Sequence, residues 1–407
     1  MNNKLIVFIY PSNSTKAIPA GVFELNNGVG TFTYGRRYIS NVGIPVSPDL
    51  PIQDGVITTD RFNGLFASFA DSTPDFWGRT VYSSLHNKPF DSISETELLL
   101  SASGAQIGNL DFRLEVSSPE PKLVLPGFSS LSGLIDAAED IQAGREVDQA
   151  YQQMLDQGTS MGGMRPKCTV EDDGKLWIAK FPSNTDTYNT SRVEMATMTL
   201  AKLSGITIPE IKVISVGSKD TFLIERFDRQ ASPDGYLRLG FSSCLSLLGK
   251  HEMDRGFGYP DLAIKLRAEG DVKGAHELFT RMLFNMGVRN TDDHAKNHGV
   301  IMDSQMRLSP AFDITPALSR EGISTEFDLA INVGKHGRQA TIQNALSSSE
   351  QFGLTKSDAM EIADKVNDVL SDWRTVFEDQ GVCRKDIATF ENSFSQLIPG
   401  TRSVSEI

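Results

Sequence analysis

Eight consecutive residues, Asn290 to Asn297 (NTDDHAKN), hold the most chemically suggestive pattern in this chain. Asp292 stands five positions before Asn297, and a second acid, Asp313, follows an aromatic in LSPAFDI sixteen residues further on. A catalytic loop for phosphoryl transfer and its magnesium-binding carboxylate need this spacing. Asp292 reads as the base that accepts a hydroxyl proton and aligns the nucleophile, with Asp293 as its rival. Asn297 and Asp313 read as ligands of a divalent ion, and Lys296 as a cation set against the migrating phosphoryl group. The plainer alternatives are a solvated acidic turn, an exposed lysine, and an Asp313 that caps the segment starting at Pro316. His294 and His298 also raise a hydrolytic metal site, but that pattern needs Glu directly after the first histidine, where Ala295 stands. His294 is therefore expected to be a buried histidine that orients the loop.

Upstream residues complete the pattern. Lys180 lies in an otherwise apolar strand (KLWIAKFPS), where an amine is costly unless it is paired. Glu194, fourteen residues on in the next helix, is its natural partner, and such a pair orients the lysine toward nucleotide phosphates. The alternative is a lysine pointing outward from an edge strand. In the turn SMGGMRPK, Gly162 and Gly163 lack side chains, so their backbone N–H groups are open to phosphate oxygens. Alone, such a turn reads as a simple hairpin. The run FLIERFDR reads as a strand entering an interlobe hinge, with Glu225 to Phe227 presenting backbone to adenine.

These groups need elements to hold them. A chain of 407 residues suits two or three lobes, each with its own core. A net charge of −13 argues against coating nucleic acid or anionic membrane through the overall field, so any DNA contact must be local. Three cysteines without a CxxC pair argue against a disulfide framework or zinc ribbon, and a reducing cytoplasm is expected. The apolar run Leu5 to Tyr10 stops at Pro11, far short of the roughly 20 residues a bilayer span needs, and reads as a first strand. Short alternating runs (AGVFEL, GTFTYG, GVITTD) describe a strand-rich module over 1–120, followed by a helical stretch at Ile135 to Gln157. Residues 121–229 read as the nucleotide-binding part: strands at Lys175 to Phe181, Ile211 to Val216 and Thr221 to Glu225, and a helix at Ser191 to Leu203 ended by Gly205. Residues 230–407 read as helical, with Leu278, Phe279, Met282, Leu283 and Met286 at helical spacing and one long helix from Lys356 to Phe377.

Taken in order, SMGGMRPK, IAKFPS, RVEMA, LIERFDR, NTDDHAKN and LSPAFDI, with DSTPDFWGR ahead of them, resemble the HipA family of bacterial toxin kinases over nearly the whole chain. The resemblance implies an α+β, two-lobed protein-kinase-like fold and a serine/threonine protein kinase that uses ATP and Mg2+. It implies the toxin of a type II toxin–antitoxin pair, bound by a HipB-like DNA-binding antitoxin with which it represses its operon on operator DNA. The implied substrate is a translation component, notably an aminoacyl-tRNA synthetase such as glutamyl-tRNA synthetase, whose modification favours dormancy and persistence.

By matching position, the resemblance assigns nucleotide contacts to Gly162, Gly163, Met164, Arg165, Pro166, Lys167, Lys180, Glu225, Arg226, Phe227, His294, Ala295, Lys296, Asn297, Phe312 and Asp313. It makes Ser160 the autophosphorylated residue, with Thr159 an adjacent competitor; a dianion inside a phosphate cradle repels ATP. Two departures stand out. Asp293 replaces a glycine, and the basic DNA-contacting loop aligns loosely with Gly334 to Arg338, which assigns DNA contact to Lys335, His336 and Arg338. Two other functions fit the scaffold: a kinase of a small molecule or lipid, and a non-catalytic co-repressor. The intact set of Lys180, Asp292, Asn297 and Asp313 argues against the latter.

Overall fold

The computed structural model describes residues 3–102, 104–158, 163–251, 253–319, 326–394 and 397. Thr159, Ser160 and Gly162 therefore lie outside the described residues. The chain divides into two compact units, the first comprising 1–185, 214–251 and 301–304, the second 186–213, 252–300 and 305–407.

The first unit opens with a five-stranded antiparallel sheet. Its strands are β1 (Lys4–Ile9), β2 (Ile18–Asn26), β3 (Val29–Tyr34), β4 (Val56–Thr59) and β5 (Leu110–Arg113), in spatial order β4-β3-β2-β1-β5. β1 lies between β2 and β5, and its apolar run is buried at nearly every position, the pattern of a strand covered on both faces. Phe23, Phe32, Phe66, Phe69 and Phe112 fill the core edge to face.

Among the described residues the longest helices of this unit are α1 (Phe76–Leu85), α2 (Leu131–Gln142) and α3 (Gln149–Gly158). One helical stretch was expected over Ile135 to Gln157, but two helices form. Gly144 sits at φ +66°, a left-handed turn that ends α2 and is open to glycine at little cost. A second antiparallel sheet has β6 (Lys167–Asp172), β7 (Lys175–Lys180), β8 (Ile211–Val216) and β9 (Lys219–Glu225), in order β6-β7-β9-β8. Strand alternation gives this sheet two unlike faces. Cys168, Val170, Trp177, Ala179 and Leu223 join the core formed with Trp77, Val81, α2 and α3. The other face carries Lys167, Thr169, Ile178, Lys180, Phe222 and Ile224 in register.

The second unit is mostly helical, with α4 (Thr190–Leu203), α5 (Tyr259–Ala268), α6 (Val272–Gly287), α7 (Lys356–Ser371) and α8 (Trp373–Asp379). Asn189 caps α4 by accepting from the Arg192 N–H, and Gly205 at φ +86° follows its end. The apolar stripe of α6 (Leu278, Phe279, Met282, Leu283, Met286) is buried throughout. The long helix expected over Lys356 to Phe377 breaks at Asp372. The break lets Trp373 stack flat on Phe394 at 4.2 Å and set its edge against Phe377, an aromatic cluster that outweighs one uninterrupted helix. All three cysteines are free. No helix among the described residues is long and apolar enough to cross a membrane.

Candidate active site

The loop after α6 is built by opposing demands on neighbouring residues. Asn290 N–H donates to Asn285 O at 2.8 Å, closing the end of α6. Arg289 adopts φ +55° with its guanidinium 4.4 Å from the centre of the Phe327 ring. The chain then alternates: Asp292 and His294 are exposed, while Asp293 and His298 are 2% and 3% exposed. The expected buried, loop-orienting histidine is thus His298, and His294 faces solvent. The extended backbone at His294, followed by one short 3-10 turn (Ala295–Asn297), sends successive side chains to opposite sides.

Asp293 has the anchoring task. Its carboxylate accepts a hydrogen bond from the Tyr259 hydroxyl, and His298 Nε2 lies 2.8 Å from Oδ1, at ion-pair distance but off the hydrogen-bond direction. Asn285 Nδ2 donates to the Tyr259 hydroxyl at 2.9 Å, and Asn290 Nδ2 donates to Asn285 Oδ1 at 3.1 Å. A buried carboxylate is tolerated only when satisfied in this way. Asp293 therefore pins the loop from beneath, which leaves Asp292 as the acid exposed to solvent. Tyr259 and Asn285 were missed in the sequence; the one signal was a lone asparagine inside the apolar run MLFNMG.

Asn297 is buried, and its Nδ2 donates to the Asp292 carbonyl at 3.3 Å. The amide nitrogen is thereby fixed, so Oδ1 is the atom left to accept. Asp313 is half-buried and adopts φ +58°, a left-handed conformation that costs a non-glycine residue about 1–2 kcal/mol. Such strain persists where function requires it. The approach to Asp313 is fixed by Ala311 N–H donating to Thr207 O at 2.8 Å and by the buried Arg281 donating to Ser309 O at 2.6 Å. Phe312 and Lys296 are half-buried, and Ala295 is buried.

In the first unit, β7 is flanked on both sides, so Lys180 does not stand on a sheet edge. It lies opposite Lys167 on β6 and opposite Phe222 on β9, whose ring centre is 5.8 Å from its Nζ. Glu194 is buried on α4 of the second unit. Gly163 adopts φ +113°, and a Cβ there would collide with Lys167 Nζ. Met164 and Arg165 are exposed, while Pro166 and Lys167 are buried.

The expected hinge divides. The Glu225 side chain pairs with Lys175 at 3.3 Å, and Phe227 tilts toward Phe241. The Arg226 side chain serves as a structural clamp. The Arg226 backbone N–H donates to Leu176 O at 2.7 Å, and its buried guanidinium donates to Ala105 O, Gln106 O and Asp228. Arg229 joins the same clamp through Gly108 O and Gln106 O. Burial alone would raise the Asp228 carboxyl, but the two guanidiniums prevail and bring it down to about 2.

Of the basic loop, Lys335 and His336 are exposed on a turn stapled by the buried Asn344, which donates to Gly337 O and accepts from His336 N–H. Arg338 pairs with Asp328 at 3.1 Å.

A four-stranded antiparallel sheet carrying Lys180 in one unit, and in the other a helical array bearing the aspartate–asparagine loop and a strained aspartate after an aromatic, define an α+β protein of kinase-like fold. Residues 159–373 match the HipA-like C-terminal domain and residues 14–113 the HipA N-terminal domain. The chain belongs to the HipA family. It is 26% identical over 211 residues to the serine/threonine-protein kinase toxin HipA of Shewanella oneidensis, covering 42% of this chain and 46% of that one. It is 25% identical over 167 residues to the putative kinase Y4mE of Sinorhizobium fredii, covering 39% of this chain and 38% of that one. The chain thus matches less than half the length of these curated relatives. Its fold superposes with a TM-score of 0.70 and 15% identity on HipA in the Shewanella oneidensis complex of HipA, HipB and operator DNA, covering 97% of this chain and 95% of that one.

Proposed function

We propose that this protein is an ATP- and magnesium-dependent serine/threonine protein kinase and the toxin of a toxin–antitoxin pair. The observation that carries the reading is the division of labour between adjacent acids: Asp293 buried and anchored, Asp292 exposed beside an Asn297 whose amide nitrogen is already committed. In this reading Asp292 accepts the hydroxyl proton and aligns the nucleophile. Asn297 Oδ1 and the Asp313 carboxylate are hard oxygen donors of the kind magnesium takes together with phosphate oxygens. Among the described residues no three His, Cys, Asp or Glu side chains gather into an all-protein metal cage, and magnesium seldom needs one. When bound, the ion neutralises charge on the phosphates.

Lys180 orients the α and β phosphates, and Lys296 faces the migrating group. Residues 1–120 form the amino-terminal module, 121–229 the nucleotide-binding part and 230–407 the part with the catalytic loop. Ser160 is the autophosphorylation site. The proposed partners are a HipB-like antitoxin, operator DNA through that complex with Lys335, His336 and Arg338 nearest the phosphates, and a cytoplasmic acceptor such as glutamyl-tRNA synthetase.

Incubation with γ-labelled ATP, magnesium and cell lysate tests this. Label on Ser160 and on a lysate protein, both lost in Asp292→Asn, is the expected result. Label on a small molecule or lipid alone moves the acceptor class, and no label with tight antitoxin binding makes the protein a co-repressor. Transfer retained in Asp292→Asn removes the base assignment.

A further inference from the structure

The amino-terminal module reaches the glycine turn through the first turn of α1. Asp75 stands at the position where an aspartate ordinarily caps its own helix, yet its side chain makes no capping bond there. Its Oδ2 accepts instead from Gly163 N–H at 3.1 Å. Two residues on, Trp77 N–H, one of the donors that a helix start leaves without an intrahelical partner, donates to Gly163 O at 3.2 Å. The buried Trp77 ring then donates from Nε1 to Lys167 O at 2.9 Å. Both polar groups of the Gly163 residue and the carbonyl of Lys167 are thus held by one helix start, at a residue whose φ of +113° no other side chain adopts readily.

We propose that Asp75 and Trp77 are positioning residues for nucleotide binding: they hold Gly163 and the Lys167 backbone in a phosphate-binding arrangement from outside the nucleotide-binding segment. The inference rests on the reading that this turn and Lys180 take ATP phosphates. A glycine turn left to itself samples many conformations, and ordering it would be charged against every binding event. The clasp makes that ordering part of the fold. The amino-terminal module is then part of the nucleotide site, without itself touching the nucleotide.

The test uses the full chain in five forms: wild type, Asp75→Ala, Asp75→Asn, Trp77→Phe and Lys180→Met. ATP affinity, KM and kcat are measured along with thermal stability and hydrogen exchange of the peptide containing Gly163. Asp75→Ala is expected to raise KM for ATP about tenfold, as for the loss of one charge-assisted hydrogen bond, with kcat at saturating ATP within about twofold. Faster exchange of the Gly163 amide accompanies it. Asp75→Asn, which keeps an acceptor oxygen, recovers most of the affinity, and Trp77→Phe, which drops one donor, raises KM less. Should Asp75→Ala fold poorly, Trp77→Phe and Asp75→Asn carry the comparison. Unchanged KM in the folded variants, or tighter ATP binding in Asp75→Ala, overturns the inference, the latter by making Asp75 a competitor of phosphate. Lys180→Met that binds ATP as wild type does sinks the nucleotide-site reading instead.

Discussion

Replacing the buried acid of the catalytic loop is expected to cost stability, and replacing the exposed one to cost chemistry. In Asp293→Ala the Tyr259 hydroxyl loses its acceptor and His298 its carboxylate neighbour inside a site where both are almost fully enclosed. Leaving a buried donor without its acceptor costs about 1–3 kcal/mol. Two enclosed groups lose the same neighbour here, so the upper end applies, about 3 kcal/mol. At about 2–4 °C per kcal/mol for a domain of 150–250 residues, the melting transition falls by about 6–12 °C. Asp292→Asn changes an exposed side chain whose carbonyl, not its carboxylate, holds Asn297, so its melting temperature stays within about 1 °C of wild type while transfer falls about 10²–10⁴-fold. Differential scanning fluorimetry and single-turnover labelling on the same preparations read both effects. An Asp293→Ala protein as stable as wild type, or an Asp292→Asn protein that transfers phosphate normally, would refute the division of labour between the two acids.

The strain at Asp313 offers a second check: Asp313→Gly, relieved of a left-handed φ of +58°, is expected to melt no lower than wild type yet to lose transfer, and a drop of several degrees would contradict the strain. Acid should act on the clamp around Asp228. Its folded carboxyl sits at about 2, below the roughly 3.9 of an unfolded aspartate, so the stability it lends is present above pH 4 and is lost as pH falls toward 2. Asp228→Asn should therefore be less stable than wild type at pH 5, with the gap narrowing by about 2 kcal/mol between pH 4 and 2. Chemical denaturation across that range measures it, and a gap independent of pH rules the linkage out.

The family of this chain was legible because its motifs are residue types at short spacings: Asp292 to Asn297 within one loop, Asp313 after an aromatic, Lys180 in an apolar strand. The apolar stripe of α6 and strands β7 to β9 were equally local, being periodic patterns over single elements. What local patterns do not carry is which way a side chain turns once its neighbours arrive. Asp292 and Asp293 are the same residue type in sequence, and only Tyr259, brought in from α5, and His298, at the end of the same loop, make one an anchor and leave the other open. Asp372 interrupts a regular helical pattern because Trp373 gains an aromatic partner in Phe394, and Arg226 turns from the expected hinge toward carbonyls more than a hundred residues away. The sequence alone determined which groups are available. The tertiary structure decided which are buried, because burial, hydrogen-bond satisfaction and charge pairing depend on residues distant in the chain, and these set the role each group is left free to play.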